Sequence, residues 1–435
     1  MSLNKSTLFH FKMERLPGFR DFYPEPLPQP DAWSANVRTH IFDTWRAVAR
    51  RYGFQEYDGP PLESLELFTT KSGAEIVGQL YNFTDKGERP IALRPEMTPT
   101  LARMIAASER AYKKPIKWFA LPQLFRYERQ QKGRLREHFQ FNADIFGEND
   151  VAADAELIAL LIDTLRALGL TSDDFVIRLS SRNAWQDFFS TRCLETSKAY
   201  DFYQIIDKME REDPAKSEAL LQALGFSLAE VKHFIESAVP TAELQLILDN
   251  LKARGLADFI RIDYNVIRGL AYYTGVVFEA FDCKGEFRAI AGGGRYNNLV
   301  KLLSGGKVDL AGLGFGMGDV VLTELLKARK LLPQFGVKLP AYCLVEDETL
   351  RPATLGLIQT LRDAGLGTDY PLVATKPDKQ FKRAQELNAE HVIRLDRQED
   401  HSVVAKVKNL KTRTEVDLPL AEVTGHILSA KTTTQ

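Results

Sequence analysis

The residues best suited to chemistry lie in one stretch of the chain, a predicted hairpin over residues 115–147. Five basic residues and two acids fall between positions 126 and 138. Such a dense cationic loop is suited to binding polyphosphate or the end of a nucleic acid. The strand HFQFNAD alternates in polarity, so one face carries His138, Gln140, Asn142 and Asp144. A solvated sheet face would alternate in the same way, so it is the loop that favours a binding site.

Two glycine-rich tracts suggest nucleotide binding, but neither has the required spacing. In AGLGFGMG, the third glycine of GxGxxG would fall on Met317 or Asp319, so the tract is not a dinucleotide fingerprint. A phosphate loop needs Ser or Thr after its GK dipeptide and a glycine five residues before it. Here Val308 follows the GK dipeptide at 306–307 and Lys301 replaces that glycine, so the tract is not a phosphate loop. If this chain uses ATP, it must bind it on another scaffold.

The composition is that of an ordinary globular protein. A length of 435 residues predicts about three domains at roughly 150 residues each. The apolar share of 44% and the charged share of 26% exclude disorder and fibrous repeats. With 57 basic and 58 acidic residues, the net charge of −1 excludes a uniformly cationic protein, although it says nothing of local basic patches.

Cysteine and histidine spacing predicts neither a disulfide framework nor a metal site. Cys193, Cys283 and Cys343 lie at least 60 positions apart, and the seven histidines form no HxxxH or HExxH motif. We therefore assign no metal-ligating residue. The N-terminal stretch has no apolar run of signal-peptide length, and no window approaches 18 apolar residues. We expect a cytoplasmic protein with no membrane partner.

Hydrophobic periodicity predicts the elements that must position these residues. A helix over residues 31–52 ends near Gly53, and a second helix at 151–170 is followed by a strand at 176–180. After the linker LLPQFGVKLP, short strands alternate with helices over 341–428, which is typical of a small α/β domain.

The predicted division of the chain follows from these patterns. Residues 186–255 have helical periodicity and few β-branched runs, which indicates an inserted helical module. The insertion separates two parts of one domain, residues 1–185 and 256–335. Residues 336–435 form the last domain.

The chain resembles a known enzyme family along essentially its whole length. The string FRYERQQKGRLREHFQFNADIFG is similar to motif 2 of class II aminoacyl-tRNA synthetases, and most similar to that of the histidyl-tRNA synthetases. LRPEMTPTLAR resembles the amino-acid-binding strand and turn of that family, and RGLAYYTGVVFEA and AGGGRYNNLV resemble its two histidine signatures. LPGFRD and GFQEYDGPPLE, with Pro60 in the motif 1 position, complete the pattern. Several independent strings in the family's order argue strongly against chance agreement.

This resemblance implies a fold and a reaction. The fold class is α/β (α+β), with a class II antiparallel-sheet catalytic domain, a helical insertion and a C-terminal α/β anticodon-binding domain, assembled as a homodimer through motif 1. The reaction is the ATP-dependent activation of L-histidine to histidyl-adenylate, followed by transfer to tRNA(His). Mg²⁺ is expected to accompany ATP.

The resemblance also implies which residues contact ATP. Arg126 matches the motif 2 arginine on the α-phosphate. Arg268 matches an arginine that contacts both the substrate carboxylate and the α-phosphate, where other class II enzymes use a metal. Both are predicted to be catalytic, because preorganised cations stabilise the charge that the α-phosphate gathers in the transition state. Glu128 and Arg134 complete the predicted ATP-binding set, with Arg134 on the outer phosphates.

The residues that the resemblance assigns to histidine binding are Glu96, Met97, Thr98, Gln140, Asp144, Tyr272, Tyr273 and Tyr296. Glu96 and Thr98 match residues that bind the α-amino group, and Gln140 matches one that positions the carboxyl or amino end. Asp144, Tyr273 and Tyr272 match the imidazole pocket, where a carboxylate on one ring nitrogen and a phenol on the other would fix the tautomer.

Three positions depart from the family pattern. Asp144 stands where Glu is usual, so the pocket must close differently around histidine or admit a water. Ala271 replaces the Asp of RGLDYY, which removes a supporting hydrogen bond. Val321 replaces the motif 3 arginine that contacts the γ-phosphate. The candidates to supply the missing charge are Lys132, Arg134 and Arg136.

Val321 leaves a second interpretation open, a catalytically silent paralogue that senses histidine, such as the regulatory subunit of ATP phosphoribosyltransferase. The otherwise intact site and a C-terminal domain that this paralogue typically lacks argue against it. In that domain, residues 376–414 hold ten basic and six acidic residues, with Lys379, Lys382 and Arg383 on one helix. These cations suit a tRNA-contact surface and a solvated face equally. A synthetase for another amino acid is disfavoured by RGLAYY and AGGGRY.

Overall fold

The computed structural model describes residues 14–72, 74–127, 135–193, 195–209, 212–267, 273–336 and 339–432. It divides into two compact units, one built from residues up to Phe22 and Ala35–Pro333, the other from Tyr23–Ser34 and the chain from Gln334 onward.

The strands, in chain order, are β1 Phe22–Tyr23, β2 Trp33–Ser34, β3 Gln55–Glu56, β4 Leu62–Ser64, β5 Asn82–Thr84, β6 Pro90–Leu93, β7 Ile116–Ala120, β8 Gln123–Phe125, β9 Glu137–Phe146, β10 Phe175–Ser181, β11 Ile260–Ile262, β12 Val276–Asp282, β13 Ala291–Arg295, β14 Gly312–Gly318, β15 Leu339–Leu344, β16 Thr368–Asp369, β17 Ala389–Arg397, β18 Val403–Asn409 and β19 Glu415–Pro419. The α-helices are α1 Ala35–Arg51, α2 Leu65–Ser72, α3 Thr98–Ser108, α4 Ala152–Ala167, α5 Arg182–Ser190, α6 Ala199–Lys208, α7 Pro214–Gln222, α8 Leu228–Ser237, α9 Ala242–Ala253, α10 Leu299–Leu303, α11 Asp319–Ala328, α12 Arg351–Asp363, α13 Pro377–Glu386 and α14 Leu420–Thr432. Short 3₁₀ turns occur at Ala74–Gln79, Glu109–Ala111, Thr196–Lys198, Ala257–Phe259 and Glu348–Leu350.

The first unit is built on a mainly antiparallel sheet. Its strands lie in the order β11-β10-β12-β13-β14-β9-β7-β3, with β8 paired to β9. The outermost pairs, β10 with β11 and β3 with β7, are parallel, and the pairs between them are antiparallel. The predicted hairpin over 115–147 is present, with β7 and β8 before the basic loop and β9 after it, and Trp118 of β7 lies opposite Asp144 of β9. The predicted antiparallel sheet is therefore confirmed.

Helix α1 shows how apolar periodicity builds the core on this sheet. It buries Ile41, Trp45 and Val48 at three- and four-residue spacing. Full burial of one such side chain contributes about 1.5–3 kcal/mol, so tertiary packing is what stabilises the helix. The chain leaves α1 through Gly53, whose φ of +77° suits glycine. The helix begins four residues later than predicted because Trp33–Ser34 is extended.

Helices α5 to α9 occupy the region of the predicted insertion. Side-chain oxygens accept backbone hydrogen bonds at the N-caps Ser181, Asp213, Ser227 and Thr241. Phe189, Phe202 and Phe226 of this region belong to the same hydrophobic cluster as Phe175 in β10. The core thus continues from the sheet into these helices, and their separation as a domain stays a prediction.

The second unit contains a sheet of order β16-β15-β17-β18-β19, with helices α12, α13 and α14. Cys343, Ile358 and Val423 belong to a hydrophobic cluster within this unit. The alternation of strands and helices predicted for 341–428 is confirmed. Among the helices that the structure describes, none is long and apolar enough to cross a membrane.

Candidate active site

The base of the site is a sheet face on which two strands carry glycine instead of larger side chains. Strand β14 sets Gly314 against Asp144 and Gly316 against Asn142 of β9. Paired residues point to the same side of a sheet, and alternate residues along a strand share a face. The alternate glycines of AGLGFGMG therefore share a face with the polar residues of β9. Met317, on the opposite face, is buried in the core.

These glycines are required for steric reasons. A Cβ atom on Gly314 would collide with Asp144 Oδ1, and a Cβ atom on Gly316 would lie 2.5 Å from Gln140 Nε2. The tract that fails as a nucleotide fingerprint thus keeps space open beside two side chains that are predicted to bind histidine.

A cavity of about 410 Å³ lies over this face, a volume within the usual range for small-molecule sites. The residues that line it are Glu96, Thr98, Arg126, His138, Gln140, Asn142, Tyr273, Ala289, Ile290, Ala291, Gly292, Tyr296, Gly314, Phe315, Gly316 and Gly318. Six predicted site residues therefore meet around one cavity, although they are spread over residues 96–296 of the sequence.

The LRPEMTPTLAR segment contributes the end of β6, a turn and the start of α3. Thr98 is the first residue of α3, and Glu96 precedes it in the turn; both line the cavity. Met97, which lies between them, has no exposed surface and is not among the lining residues. Its Sδ lies 3.6 Å from Nη1 of Arg94. Met97 thus belongs to the packing behind the turn, while Glu96 and Thr98 face the cavity.

Arg126 is held to the same turn. Its Nε donates a hydrogen bond of 3.0 Å to the carbonyl of Pro95. Its backbone N–H donates one of 2.9 Å to the carbonyl of Arg136, on the other side of the basic loop. The guanidinium of Arg136 in turn lies 4.4 Å from the ring centre of Tyr127. A guanidinium held in this way has the preorganisation that electrostatic stabilisation of a phosphate requires.

Asp144 is a carboxylate with only 1% of its surface exposed. Its Oδ1 accepts a hydrogen bond from the hydroxyl of Tyr296, while Oδ2 has no hydrogen-bond partner among the residues that the structure describes. Burial raises the pKa of Asp144 to about 7, and the hydrogen bond from Tyr296 opposes this only in part. The group therefore changes its charge near neutral pH and would gain from a donor such as an imidazole N–H.

Several residues predicted to contact ATP or histidine lie outside the part of the chain that the structure describes. They are Glu128, Arg134, Arg268 and Tyr272, and the same holds for Lys132 and Ala271. Val321 is described. It is partly buried and packs against the main hydrophobic cluster. Helix α11 thus presents an apolar side chain to the core where the family pattern has a cation.

Some lining residues were not predicted. His138 and Asn142 lie on the same polar face as Gln140 by period-two alternation, but the family strings assign a role only to Gln140. Ala289 and Ile290 carried no such signal, and Ala291 and Gly292 were known only as the start of the AGGGRYNNLV string; the pairing of β13 with β14 brings these last two to the cavity.

A buried ion network adjoins the site. Arg20, in LPGFRD, donates from Nε to Glu137 at 2.7 Å and from Nη1 to Asp319 at 2.8 Å. The backbone N–H of Phe139 donates to Asp319 Oδ1 at 2.9 Å. Burial raises the pKa of Asp319, and Arg20 opposes the shift. The N-terminal segment is thereby tied to the start of both β9 and α11.

Two family models match separate parts of the chain. The model described as Histidyl-tRNA synthetase matches residues 27–318. The chain belongs to the histidyl-tRNA synthetase family. A second model, described as Anticodon binding domain, matches residues 341–429. Membership in the histidyl-tRNA synthetase family confirms the resemblance seen in the sequence strings.

Individual relatives agree with the histidyl-tRNA synthetase models. The histidine–tRNA ligase of Opitutus terrae is 45% identical over 432 residues, which cover 94% of this chain and 97% of the relative. The chloroplastic/mitochondrial histidine–tRNA ligase of Arabidopsis thaliana is 38% identical, covering 94% of this chain and 86% of the relative. A solved histidyl-tRNA synthetase from Nostoc sp. PCC 7120 shares the fold, with a TM-score of 0.73 at 23% identity, covering 91% of this chain and 96% of that one.

Proposed function

We propose that this chain is a histidine–tRNA ligase, a class II aminoacyl-tRNA synthetase. In the first step, a carboxylate oxygen of L-histidine attacks the α-phosphate of ATP, the bond to the bridging oxygen breaks, and pyrophosphate leaves. In the second step, a hydroxyl of the terminal ribose of tRNA(His) attacks the acyl carbon and AMP leaves. The observation that carries the proposal is the meeting of Glu96, Arg126 and Tyr296 around one cavity in a member of this family, with the buried Asp144 directly behind Tyr296 as its hydrogen-bond partner.

Glu96, Thr98 and Gln140 are proposed to hold the amino-acid end of histidine. An ammonium group is best matched by a carboxylate, which Glu96 supplies at the cavity surface. Thr98 adds a hydroxyl acceptor beside it. The amide of Gln140 can donate to the substrate carboxylate and accept from the ammonium group, so it would orient the attacking oxygen.

Arg126 is proposed to stabilise the α-phosphate as negative charge builds on it. Its hydrogen bond to Pro95 fixes the position of the guanidinium before ATP binds. Removing one such preorganised group from an active site typically reduces the rate by roughly 10²–10³-fold. Arg268, from the RGLAYY signature, is proposed to bridge the substrate carboxylate and the α-phosphate.

Asp144 is proposed to recognise the imidazole ring. Its Oδ2 remains available among the described groups, while Tyr296 orients the carboxylate through Oδ1. Tyr273, which lines the same cavity, would face the ring and, with Tyr272, complete the pocket. A carboxylate that binds a ring N–H, either directly or through a water molecule, selects one tautomer of neutral imidazole.

Mg²⁺ is proposed to enter as the complex with ATP. Within the part of the chain that the structure describes, no group of three or more His, Cys, Asp or Glu side chains is placed to hold a metal. We therefore assign Mg²⁺ no protein ligand and route no step through it. When bound, the ion would neutralise charge on the outer phosphates. Arg136 is the described member of the three cations proposed to compensate for Val321.

The second unit is proposed to bind the anticodon arm of tRNA(His). Its match to the anticodon-binding model and the basic residues of 376–414 support this assignment. Phosphate contacts would make tRNA binding fall steeply with salt. Assembly as a homodimer through motif 1 and a cytoplasmic location are further proposals, based on the resemblance and on the sequence.

Histidine-dependent exchange of pyrophosphate into ATP by the purified chain tests the proposal. We expect exchange with L-histidine and not with other amino acids, and charging of a tRNA(His) transcript. Histidine binding without exchange at saturating histidine would instead support the silent sensor. That alternative rests on Val321 and is less supported, because the relatives from Opitutus terrae and Arabidopsis thaliana, which match over 94% of this chain, are histidine–tRNA ligases.

A further inference from the structure

Tyr57 is a phenol beside Asp144 to which the proposed mechanism gives no role. It directly follows β3, and its backbone N–H donates to the carbonyl of Phe119 at 2.9 Å. Its ring packs against Trp118, with ring centres 5.6 Å apart. Because Trp118 pairs with Asp144 across β7 and β9, these two side chains share one face of the sheet. Tyr57 therefore lies against the face that carries Asp144.

The Tyr57 hydroxyl and Asp144 Oδ2 are both buried, and neither has a hydrogen-bond partner among the described residues. The two atoms are consequently not hydrogen-bonded to each other. Burial and, after it, the charge of Asp144 raise the pKa of Tyr57 well above its usual value, so the two groups are within electrostatic reach. Buried polar atoms nearly always have partners, and a bound water is one of the ways in which such an exception is satisfied.

We propose that Tyr57 is a further specificity-determining residue of the histidine site, whose hydroxyl and Asp144 Oδ2 hold one water molecule that receives the imidazole N–H. The inference rests on the proposed function, because it takes imidazole as the ligand. A buried water forms about three hydrogen bonds. Here its oxygen accepts from the imidazole N–H and from the Tyr57 hydroxyl, and one of its hydrogens is donated to Asp144 Oδ2. Both orphaned protein atoms are then satisfied.

The shared water explains how an aspartate can read the ring. Tyr296 already occupies Oδ1, so Oδ2 must either reach the ring directly or act through an intermediary. A water held at two points is oriented, and it accepts a donor from one direction only. The site would therefore discriminate against rings that place no polar atom at this position.

Tyr57→Phe removes the hydroxyl oxygen and leaves the ring packing on Trp118 intact. We expect KM for histidine in pyrophosphate exchange to rise about tenfold, the usual effect of losing one buried hydrogen bond. KM for ATP should stay unchanged. Tyr52→Phe is the matched control, because the Tyr52 hydroxyl donates to Asp163 at 2.6 Å and so already has a partner that is not part of the histidine site. It should leave both KM values unchanged.

The pH profile separates this role from simple packing. In Tyr57→Phe, the water that contacts Asp144 loses one of its hydrogen-bond donors, and this disfavours the charged form of the Asp144 carboxylate. In the pH profile of kcat/KM for histidine, the limb assigned to Asp144 should therefore move to higher pH. The described titratable groups that act on this carboxylate or on Tyr57 are Tyr296, Arg94 and Asp58, and Tyr273 packs against the same hydrophobic cluster. Each is retained in the control, and free histidine titrates identically in every assay.

The outcomes distinguish this inference from the proposed function. If the wild-type chain shows no histidine-dependent exchange, the proposed function fails and this inference fails with it. If the wild type is active and Tyr57→Phe keeps both its KM for histidine and its pH profile, only the role of Tyr57 is overturned. A crystal structure with histidine should show the water between Tyr57 and Asp144, and direct contact of the ring with Asp144 Oδ2 would overturn the shared water.

Discussion

Replacing Asp144 with Asn should stabilise the protein above neutral pH while impairing histidine activation. The pKa of the buried carboxyl is raised from 3.8 to about 7. A group whose folded-state pKa is raised contributes stability below its unfolded pKa, and that contribution is lost as the pH rises through the folded pKa. About three pKa units at 1.36 kcal/mol each correspond to a penalty on the order of 4 kcal/mol above pH 7.

Asn is neutral at every pH and keeps an oxygen that can accept the hydrogen bond from Tyr296. The gain in free energy of unfolding should therefore be about 2 kcal/mol larger near pH 8 than near pH 5.5. Urea denaturation of wild type and Asp144→Asn at the two pH values measures this difference. Other buried carboxylates, such as Asp154 and Asp319, titrate in both proteins and cancel. Asp258→Asn, at an exposed position, is the control and should give no pH-dependent gain.

The same variant should lose histidine-dependent pyrophosphate exchange by about tenfold or more, because a neutral amide replaces the carboxylate charge at the imidazole end of the site. A gain in stability that is equal at both pH values would refute the claim that Asp144 is buried with a raised pKa. Unimpaired exchange would remove Asp144 from histidine recognition, whatever its effect on stability.

Three further variants test separate parts of the site. Gly316→Ala places a Cβ atom 2.5 Å from Gln140 Nε2, so it should raise KM for histidine severalfold. The flexible amide of Gln140 can move aside, so the Tm should change little. A large drop in Tm would contradict this account of the clash. Arg20→Ala leaves the buried carboxylates of Glu137 and Asp319 without their cation, so the free energy of unfolding, measured by urea denaturation, should fall by about 3–5 kcal/mol. A loss below about 1 kcal/mol would show that this ion network does not stabilise the fold. Arg268→Ala should slow adenylate formation by roughly 100-fold in single-turnover assays, and a normal rate would exclude it from the mechanism.

The sequence by itself determined the family, the helix and strand pattern and most candidate site residues, because these depend on local order along the chain. Period-two alternation in HFQFNAD was enough to place Gln140 and Asp144 on one face of a strand. The strings around Glu96, Arg126 and Tyr273 carried the resemblance. Apolar spacing gave α1, since each buried residue repeats at helical intervals.

The tertiary structure decided which of these residues meet and what surrounds them. The purpose of the glycines in AGLGFGMG became clear only from the register of β14 against β9, because steric clearance depends on the neighbouring strand. No motif or spacing in the sequence singles out Tyr57. Its proposed role arises because the fold brings it close to Asp144, which lies 87 positions later in the chain. The raised pKa of Asp144 depends on desolvation by the whole fold, and desolvation is a property of packing that no single segment of sequence carries.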